Sequence, residues 1–534
     1  MPTEPNVPPS ELCNLVNMCK PGPNYINNAV KVDTKFNIEA WKHYEYAYAH
    51  HDPTLLKQIT YGFPVPYQKS DPPSVPYRNH NSAYANPELI DAYILKNLDN
   101  GSLMGPYSVN PLDQHVTVSP LQVSFSSSGK PRVVVDCSWR SPSVNDGISE
   151  DWTKFPGYDG EFHLPSVDDL VQKILTTEPP VKLWKADLDS YYKQILVDPG
   201  DIHYLGFIWR GSLWLDRTAP FGLRSAALCA QRITVAVCRI YYAVAGIDLV
   251  GYIDDYACAV TLRFSQYSYL TYIDLTDVLG LGRSLHKCMS PDDIMLFLGL
   301  EHDAVLFVIR IPQDKIDRAI TLLQSWLSKD RASKSQLQSL LGILNHIGAV
   351  VLAGRVFTAA ILDSLRAIGE NGTVTIDDDF RSDVNMWLTF LQDPNFTGRA
   401  FMKSPLLSII DEFMCVAVKA QVIMVQMDGV SRYYKVASIH EFKDSELYVV
   451  AVWYLSKTVT FDPKKCVIVS VPTLVVQNMI NRAATKSSIL RRLIREAALA
   501  QANKDCYIKA VKSEKHGEVV ATMDCNVDYG VIVV

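Results

Sequence analysis

Two adjacent acids, Asp254 and Asp255, interrupt the stretch Leu249 to Val260, which reads Leu-Val-Gly-Tyr-Ile-Asp-Asp-Tyr-Ala-Cys-Ala-Val. Short runs rich in aliphatic and aromatic residues on either side of a two-residue polar link predict a tight hairpin. Carboxylates held at such a tip between buried strands repel one another and raise each other's pKa unless a cation lies between them. A divalent metal answers that need, because hard cations take oxygen ligands. Taken alone, an Asp-Asp pair reads rather as a solvated hairpin tip, and the rest of the chain has to overturn that. A second acidic place lies 67 positions earlier. There Val181 to Leu188 (Val-Lys-Leu-Trp-Lys-Ala-Asp-Leu) ends on Asp187, followed by Asp189, Tyr191 and Tyr192. It reads as a site or as a strand cap, and 67 residues is ample chain for a crossover within one sheet.

Cationic and glycine-bearing stretches surround these acids in the sequence. Leu121 to Phe125 and Arg132 to Val135 predict two strands joined by the polar link Ser126 to Pro131, with Lys130 and Arg132 at its far side. A solvated basic turn is one reading. A phosphate clamp is the other, since guanidinium forks onto phosphate oxygens and ammonium supplies a point charge. Ala219 to Ala226 carries Pro220, Phe221 and Gly222 ahead of a long helical pattern through Leu228, Ile233, Val237 and Ile240. Pro and Gly there let backbone approach a ligand closely. Gly280 to Lys287 is a further loop bearing Gly and Lys.

The elements that must hold these residues belong to a large globular chain. At 534 residues several subdomains are expected, and 48% hydrophobic with 20% charged residues excludes a disordered chain. The longest apolar runs are broken by charge, so no membrane-spanning helix is expected, and Met1 to Ser10 lacks the apolar core of a signal peptide. The 11 cysteines include no C-x-x-C pair, which argues for free thiols and against a zinc module. An intracellular chain, cytoplasmic or nuclear rather than secreted, is the expectation. The net charge of −6 is awkward for a nucleic-acid binder, although binding needs only a local basic surface.

Residues 1–110 are rich in Pro, Tyr and Asn. They predict one helix, Asn86 to Leu98 with Pro87 at its first position, and otherwise an arm laid over a body or a loose tail. Leu296 to Leu300 predicts a strand. Helical spacing runs from Ile316 to Leu327, and Ser333 to Gln336 is a capping box opening a second helix. Val356 to Ile368 is a third, and 370–375 a linker. Beyond Pro405, strands are expected at 406–410, 417–426, 433–438, 466–471 and 506–511, with helices at 445–455, 475–484 and 489–502. Arg482, Lys486, Arg491, Arg492 and Arg495 form a nucleic-acid face or a solvated helix surface.

In order and approximate spacing, Ala186-Asp187-Leu188, Pro220-Phe221-Gly222-Leu223, Tyr252-Ile253-Asp254-Asp255, His286-Lys287 and Phe297-Leu298-Gly299-Leu300 resemble the motifs of reverse transcriptases. Ser138 to Ile148 and Leu341 through Arg355 are most similar to those of retrotransposons of the DIRS (tyrosine-recombinase) type. The resemblance spans residues 75–370 and extends weakly beyond. It implies an α/β (α+β) right-hand polymerase followed by a ribonuclease H-like domain. The expected division is an N-terminal extension (1–110), fingers (111–180), palm (181–302), helical thumb (303–368), connection (369–404) and nuclease-like domain (405–534).

The resemblance also implies roles. Asp187 and Asp254 would hold two Mg2+ ions, with Mn2+ an alternative, and Asp255 would complete the cluster. Arg132 would grip the incoming triphosphate, with Lys130 as a second candidate. Tyr192 would exclude a 2'-hydroxyl, and Tyr191 stands where the family keeps a smaller residue, which would reshape that pocket. Phe221 and Gly222 would line the nascent pair. Lys287 would serve the leaving pyrophosphate, or is an ordinary exposed lysine. RNA template, DNA primer and deoxynucleoside triphosphates are the implied partners, with no membrane. Asp411 and Glu446 match two nuclease carboxylates. Ser470-Val471-Pro472 and Ala521-Thr522 stand where the other two belong, unless Asp524 serves, so the nuclease site is expected to be inactive. An active RNA-directed DNA polymerase and a decayed or domesticated nucleic-acid-binding copy are the two readings, with an RNA-templated RNA polymerase a third that the bulky Tyr192 opposes.

Overall fold

The computed structural model describes residues 9–21, 34–73, 76–126, 129–151, 155, 158, 162–369, 372–400, 413–427, 430–438, 440–459, 466–482, 485, 487–503, 507–513, 520 and 530–534. The chain is mixed α/β and forms two compact units, residues 1–166 with 177–292, and residues 167–176 with 293–534.

The first unit is built on a four-stranded antiparallel sheet. Its strands are β3 (Val181–Asp187), β4 (Val250–Tyr252), β5 (Asp255–Thr261) and β6 (Met289–Asp292), in the order β4-β5-β3-β6, and a separate hairpin pairs β1 (Leu121–Phe125) with β2 (Pro131–Val135). Two helices pack with the sheet, α1 (Ala226–Ala245) and α2 (Ser265–Leu279). Trp184 of β3 is fully buried among Tyr241, Tyr269 and Tyr272, and its indole N–H donates to the Ser268 hydroxyl at 2.7 Å. Each such large side chain contributes roughly 1.5–3 kcal/mol by leaving water.

Helix α1 ends on Gly246 in the left-handed region (φ 69°), where glycine has no steric cost. By length and composition it would pass for a membrane span, against the expectation that charge breaks every such run. Most of it is nevertheless buried within the unit, and Gln231, Arg232 and Thr234 all have protein partners, so it is a core helix. Helix α2 was not expected. Its polar Ser268 and Thr276 face inward while Leu270 and Val278 face solvent, which erases the helical stripe.

The N-terminal residues join the same core. Trp41, Tyr48, Leu55, Ile59 and Phe63 are buried with the sheet residues. Asp52 receives two hydrogen bonds from Arg232 of α1 (2.7 and 2.8 Å), and Gln58 a third (2.6 Å). The expected helix forms at Pro87–Asp99, but the Asn86 side chain donates to Ser82 O instead of capping it.

In the second unit, Ile294–Phe297 (β7) and Leu300–Asp303 (β8) form a hairpin whose link, Leu298-Gly299, has both φ positive (46° and 77°). The single strand expected over 296–300 is therefore a turn flanked by strand ends. Helices α3 (Gln313–Leu327), α4 (Lys334–Ile347) and α5 (Ala359–Ala367) follow, α4 opened by the Ser333–Gln336 capping box. A further helix, α6 (Asp378–Gln392), is capped by Asp377 and occupies what was read as connection.

The remaining strands are β9 (Phe413–Lys419), β10 (Val422–Met427), β11 (Val430–Ala437), β12 (Cys466–Val471), β13 (Tyr507–Lys512) and β14 (Gly530–Val533), in the order β13-β12-β9-β10-β11-β14. The first three form a meander, and β12 runs parallel to β9. Residues 417–426, read as one strand, break at Ala420-Gln421, both in the left-handed region. Helices α7 (Asp444–Thr458), α8 (Leu474–Arg482) and α9 (Ser488–Asn503) accompany this sheet. The strand expected at 406–410 lies outside the described residues.

Candidate active site

Strands β3 and β5 pair in a register that sets Asp187 opposite Asp255. Directly opposed residues have Cβ atoms ~5 Å apart, and like charges there repel. Asp254 occupies the hairpin link with Ile253, so the link is Ile253-Asp254 and Asp255 is the first residue of β5, one place on from the expected tip. The Asp254 carbonyl accepts from Leu188 N–H at 2.9 Å, which ties the link to the end of β3. Three acids from two distant stretches thus share one place.

The link is held from behind. Ile253 has φ 53°, a conformation that β-branched residues rarely adopt. Its N–H donates to Gln231 Oε1 at 2.8 Å, and its carbonyl accepts from the Thr234 hydroxyl. Gln231 Nε2 donates to Gly251 O at 2.9 Å, so one side chain of α1 grips the entry to the turn at two points.

Charge and burial work against full ionisation of these acids. Asp255 is pushed up to about 7, first by burial and then by Asp187 and Asp254, with Lys185 opposing. Asp254 is also raised, by burial and by Asp187, against the pull of Lys287 and Arg132. Asp255 Oδ1 is buried without a hydrogen-bond partner. Lys287 Nζ donates to Asp187 Oδ1 at 2.7 Å. Burial lowers its pKa, but that bond and the three carboxylates outweigh it and the net shift is upward. A buried carboxylate oxygen with no hydrogen-bond partner, beside two more carboxylates, offers the kind of oxygen ligand a hard divalent cation takes. Among the described residues, no three His, Cys, Asp or Glu side chains are grouped closely enough to hold a metal ion, and Asp187 is paired with Lys287.

The other expected residues divide between those near the acids and those away from them. Arg132 is exposed on β2, with its charge acting on Asp254, whereas Lys130 is exposed in the preceding turn. Tyr192 is half-buried. Its hydroxyl is pushed up to about 12 by burial and then by Asp254, and its ring meets Phe221 edge-on at 5.1 Å. Gln194 fixes this segment by bonding Asp189 O at 2.6 Å and both polar groups of Gly282. Tyr191 lies in the core. It is buried against α1, donating to Ala230 O at 3.1 Å.

Phe221 is exposed, and Gly222 has φ 111°. A Cβ on Gly222 would stand 2.0 Å from Val135 O, so backbone of the 219–226 loop lies hard against β2. Asn145, buried, holds that loop by donating to Gly222 O at 2.7 Å and accepting from Arg224 N–H at 2.8 Å. Sequence reasoning assigned no role to Asn145, Gln231, Thr234 or Lys185. Lys185 had a visible signal, since it lies two residues before Asp187 on the same strand face.

In the second unit, Glu446 accepts from Lys443 N–H at 2.9 Å and so serves as a helix cap. Asp411, Ala521, Thr522 and Asp524 lie outside the described residues. Ser470 is buried at the end of β12, beside Cys415 in the register. Of the basic helical end, Arg491 pairs with Asp363 and Arg495 with Asp383, whereas Arg492, beside Glu496, is largely exposed. Lys486 lies outside the described residues.

No family model and no curated protein matches the chain. Among solved structures it is similar to three of foamy viral protease-reverse transcriptase. One, a form labelled dRH in complex with double-stranded DNA, has 14% identity and TM-score 0.48, covering 84% of this chain and 72% of that one. A second, with double-stranded DNA, has 15% identity and TM-score 0.47 over 84% and 86%. The third, with an RNA/DNA hybrid, has 15% identity and TM-score 0.48 over 100% and 66%.

Proposed function

We propose that this chain is an RNA-directed DNA polymerase of a retrotransposon, nearest to the DIRS type, transferring nucleotides to a primer 3'-hydroxyl. The observation that carries the reading is the convergence of Asp187, Asp254 and Asp255 beside Lys287, with Arg132 acting on Asp254. On this reading residues 111–180 are fingers, 181–302 palm and 303–368 thumb.

Asp187 and Asp254 would hold two Mg2+ ions, or Mn2+, with Asp255 beside them; the buried unpartnered Asp255 oxygen fits that use. When bound, the ions supply positive charge to the attacking and leaving oxygens together. The chain's own groups do the rest. Arg132 binds the triphosphate of the incoming deoxynucleotide. The Tyr192 ring, braced on Phe221, closes the space a 2'-hydroxyl would need. Lys287, released from Asp187, sets its ammonium against the charge growing on pyrophosphate. Gln231 and Thr234 keep Asp254 aimed at the site through Ile253.

Asp254→Asn tests this. Primer extension on an RNA template with Mg2+ should fall at least ~10³-fold, several kcal/mol of lost charge stabilisation, with the fold retained. Extension at the parent rate would reject the reading. The Lys287–Asp187 pair favours one second reading, a decayed or domesticated copy that binds nucleic acid without turnover. Binding unchanged by removing Mg2+, with no extension by the parent protein, would select it.

A further inference from the structure

A cavity of about 700 Å³ lies in the first unit, between the N-terminal helical segment, residues 158 and 162–165, and α1. Its size is that of a small-molecule site. Tyr46, Tyr158, Phe162 and Tyr242 give it flat aromatic walls, and Tyr46 and Tyr242 are largely solvent-exposed. Two charged lining residues neutralise each other, because Arg232 and Asp52 are bound together at 2.7 Å with Gln58 and Thr54 taking the remaining donors. Asp248 is engaged in interactions of its own.

Arg239 is different. Its Nε is buried with no hydrogen-bond partner. Its charge, after desolvation, helps hold the neighbouring His51 below its usual pKa. A guanidinium lining the cavity among aromatic faces, with no ion pair to a carboxylate among the described residues, matches a planar ring bearing one carboxylate, sulfonate or phosphate. Gln231 also lines this cavity, and it is the side chain that grips Ile253 and Gly251 at the turn carrying Asp254.

We propose that the cavity binds a planar aromatic anion through Arg239, and that an occupant steadies the Asp254 turn through Gln231. A molecule filling the cavity removes the space into which Gln231 would swing on releasing Ile253. The turn, strained at Ile253, then opens less often. Binding and turn opening are both measurable without polymerisation, so this inference stands or falls separately from the polymerase reading.

The test uses the full chain and 8-anilinonaphthalene-1-sulfonate as probe. Fluorescence titration should give saturable binding, weakened about tenfold or more by Arg239→Gln through loss of a charge-assisted bond. Val235→Trp, which fills the cavity without changing charge, should abolish it. Arg132→Ala should leave it unchanged. Hydrogen exchange of the peptide covering 249–256 should slow on adding the probe to the parent protein and not to Arg239→Gln. Binding that Arg239→Gln and Val235→Trp leave intact, or exchange that the bound probe leaves unaltered, would overturn the proposal.

Discussion

Asp255→Asn should make the metal-free protein more stable at alkaline pH. The Asp255 carboxyl titrates near 7 in the folded chain against an ordinary 3.8. At 1.36 kcal/mol per pH unit, that gap corresponds to about 4 kcal/mol. The folded state binds this proton more tightly than the unfolded state does. Its contribution to stability is therefore complete below about 3.8 and is lost as pH rises through about 7. An asparagine never ionises, so it escapes the loss. The gain should approach ~4 kcal/mol at pH 8 and shrink to well under ~1 kcal/mol at pH 4. The oxygen that lacks a partner in Asp255 is equally unpartnered in Asn, so that cost cancels. The assay is urea unfolding in EDTA, followed through the exchange protection of peptides covering 181–187 and 250–261. This local readout avoids treating a two-unit chain as one transition. A variant no more stable than the parent at pH 8, or one gaining equally at pH 4, would refute the electrostatic account of the site.

Gly222→Ala should destabilise the first unit by at least ~3 kcal/mol, because the added carbon meets Val135 O at 2.0 Å on a backbone of φ 111°. A thermal melt unchanged within a degree would contradict it. Tyr192→Ala should raise ribonucleotide use relative to deoxynucleotide at least ~10-fold, a modest share of what a filled pocket discriminates. Single-nucleotide incorporation ratios decide this, and an unchanged ratio removes Tyr192 from the sugar pocket. The C-terminal sheet should not cleave the RNA of an RNA/DNA hybrid in Mg2+ or Mn2+, since Glu446 serves as a helix cap and, on the nuclease-like reading, Ser470 stands where an acid is expected. Cleavage abolished by Asp411→Asn or Asp524→Asn would show that the nuclease site survives.

The strands bearing the acids were legible because their patterns are local. Val181 to Asp187 and Val250 to Thr261 are short apolar runs with acids at their ends, and runs of that kind form strands wherever a core accepts them. The placement of Asp255 was missed because register is set by the partner strand. Helix α2 was invisible since its inward face includes Ser268 and Thr276, whose hydrogen bonds to Trp184 and Tyr272 cannot be read from type alone. Helix α6 does carry a local signal, Asp377 followed by Phe380, Val384, Trp387 and Leu391 at helical spacing, within the stretch expected to be connection. Tyr191 and Tyr192 look interchangeable as letters. Backbone geometry after Ser190, left-handed at φ 46°, sends one into the core and one towards the acids.

The clasp between Arg232 and Asp52 sets a lower bound on how short a working fragment can be. Residue-level chemistry begins only at the strand starting with Leu121, which invites trimming everything before it. A fragment opening after Phe63 would leave the Arg232 guanidinium, almost wholly enclosed, stripped of its counter-charge and of Gln58. An enclosed charge abandoned in this way costs on the order of 3–5 kcal/mol, a large part of what keeps an ordinary domain folded. The smallest stable piece able to present the three acids therefore has to begin ahead of Asp52, well before the first strand that carries any of the site.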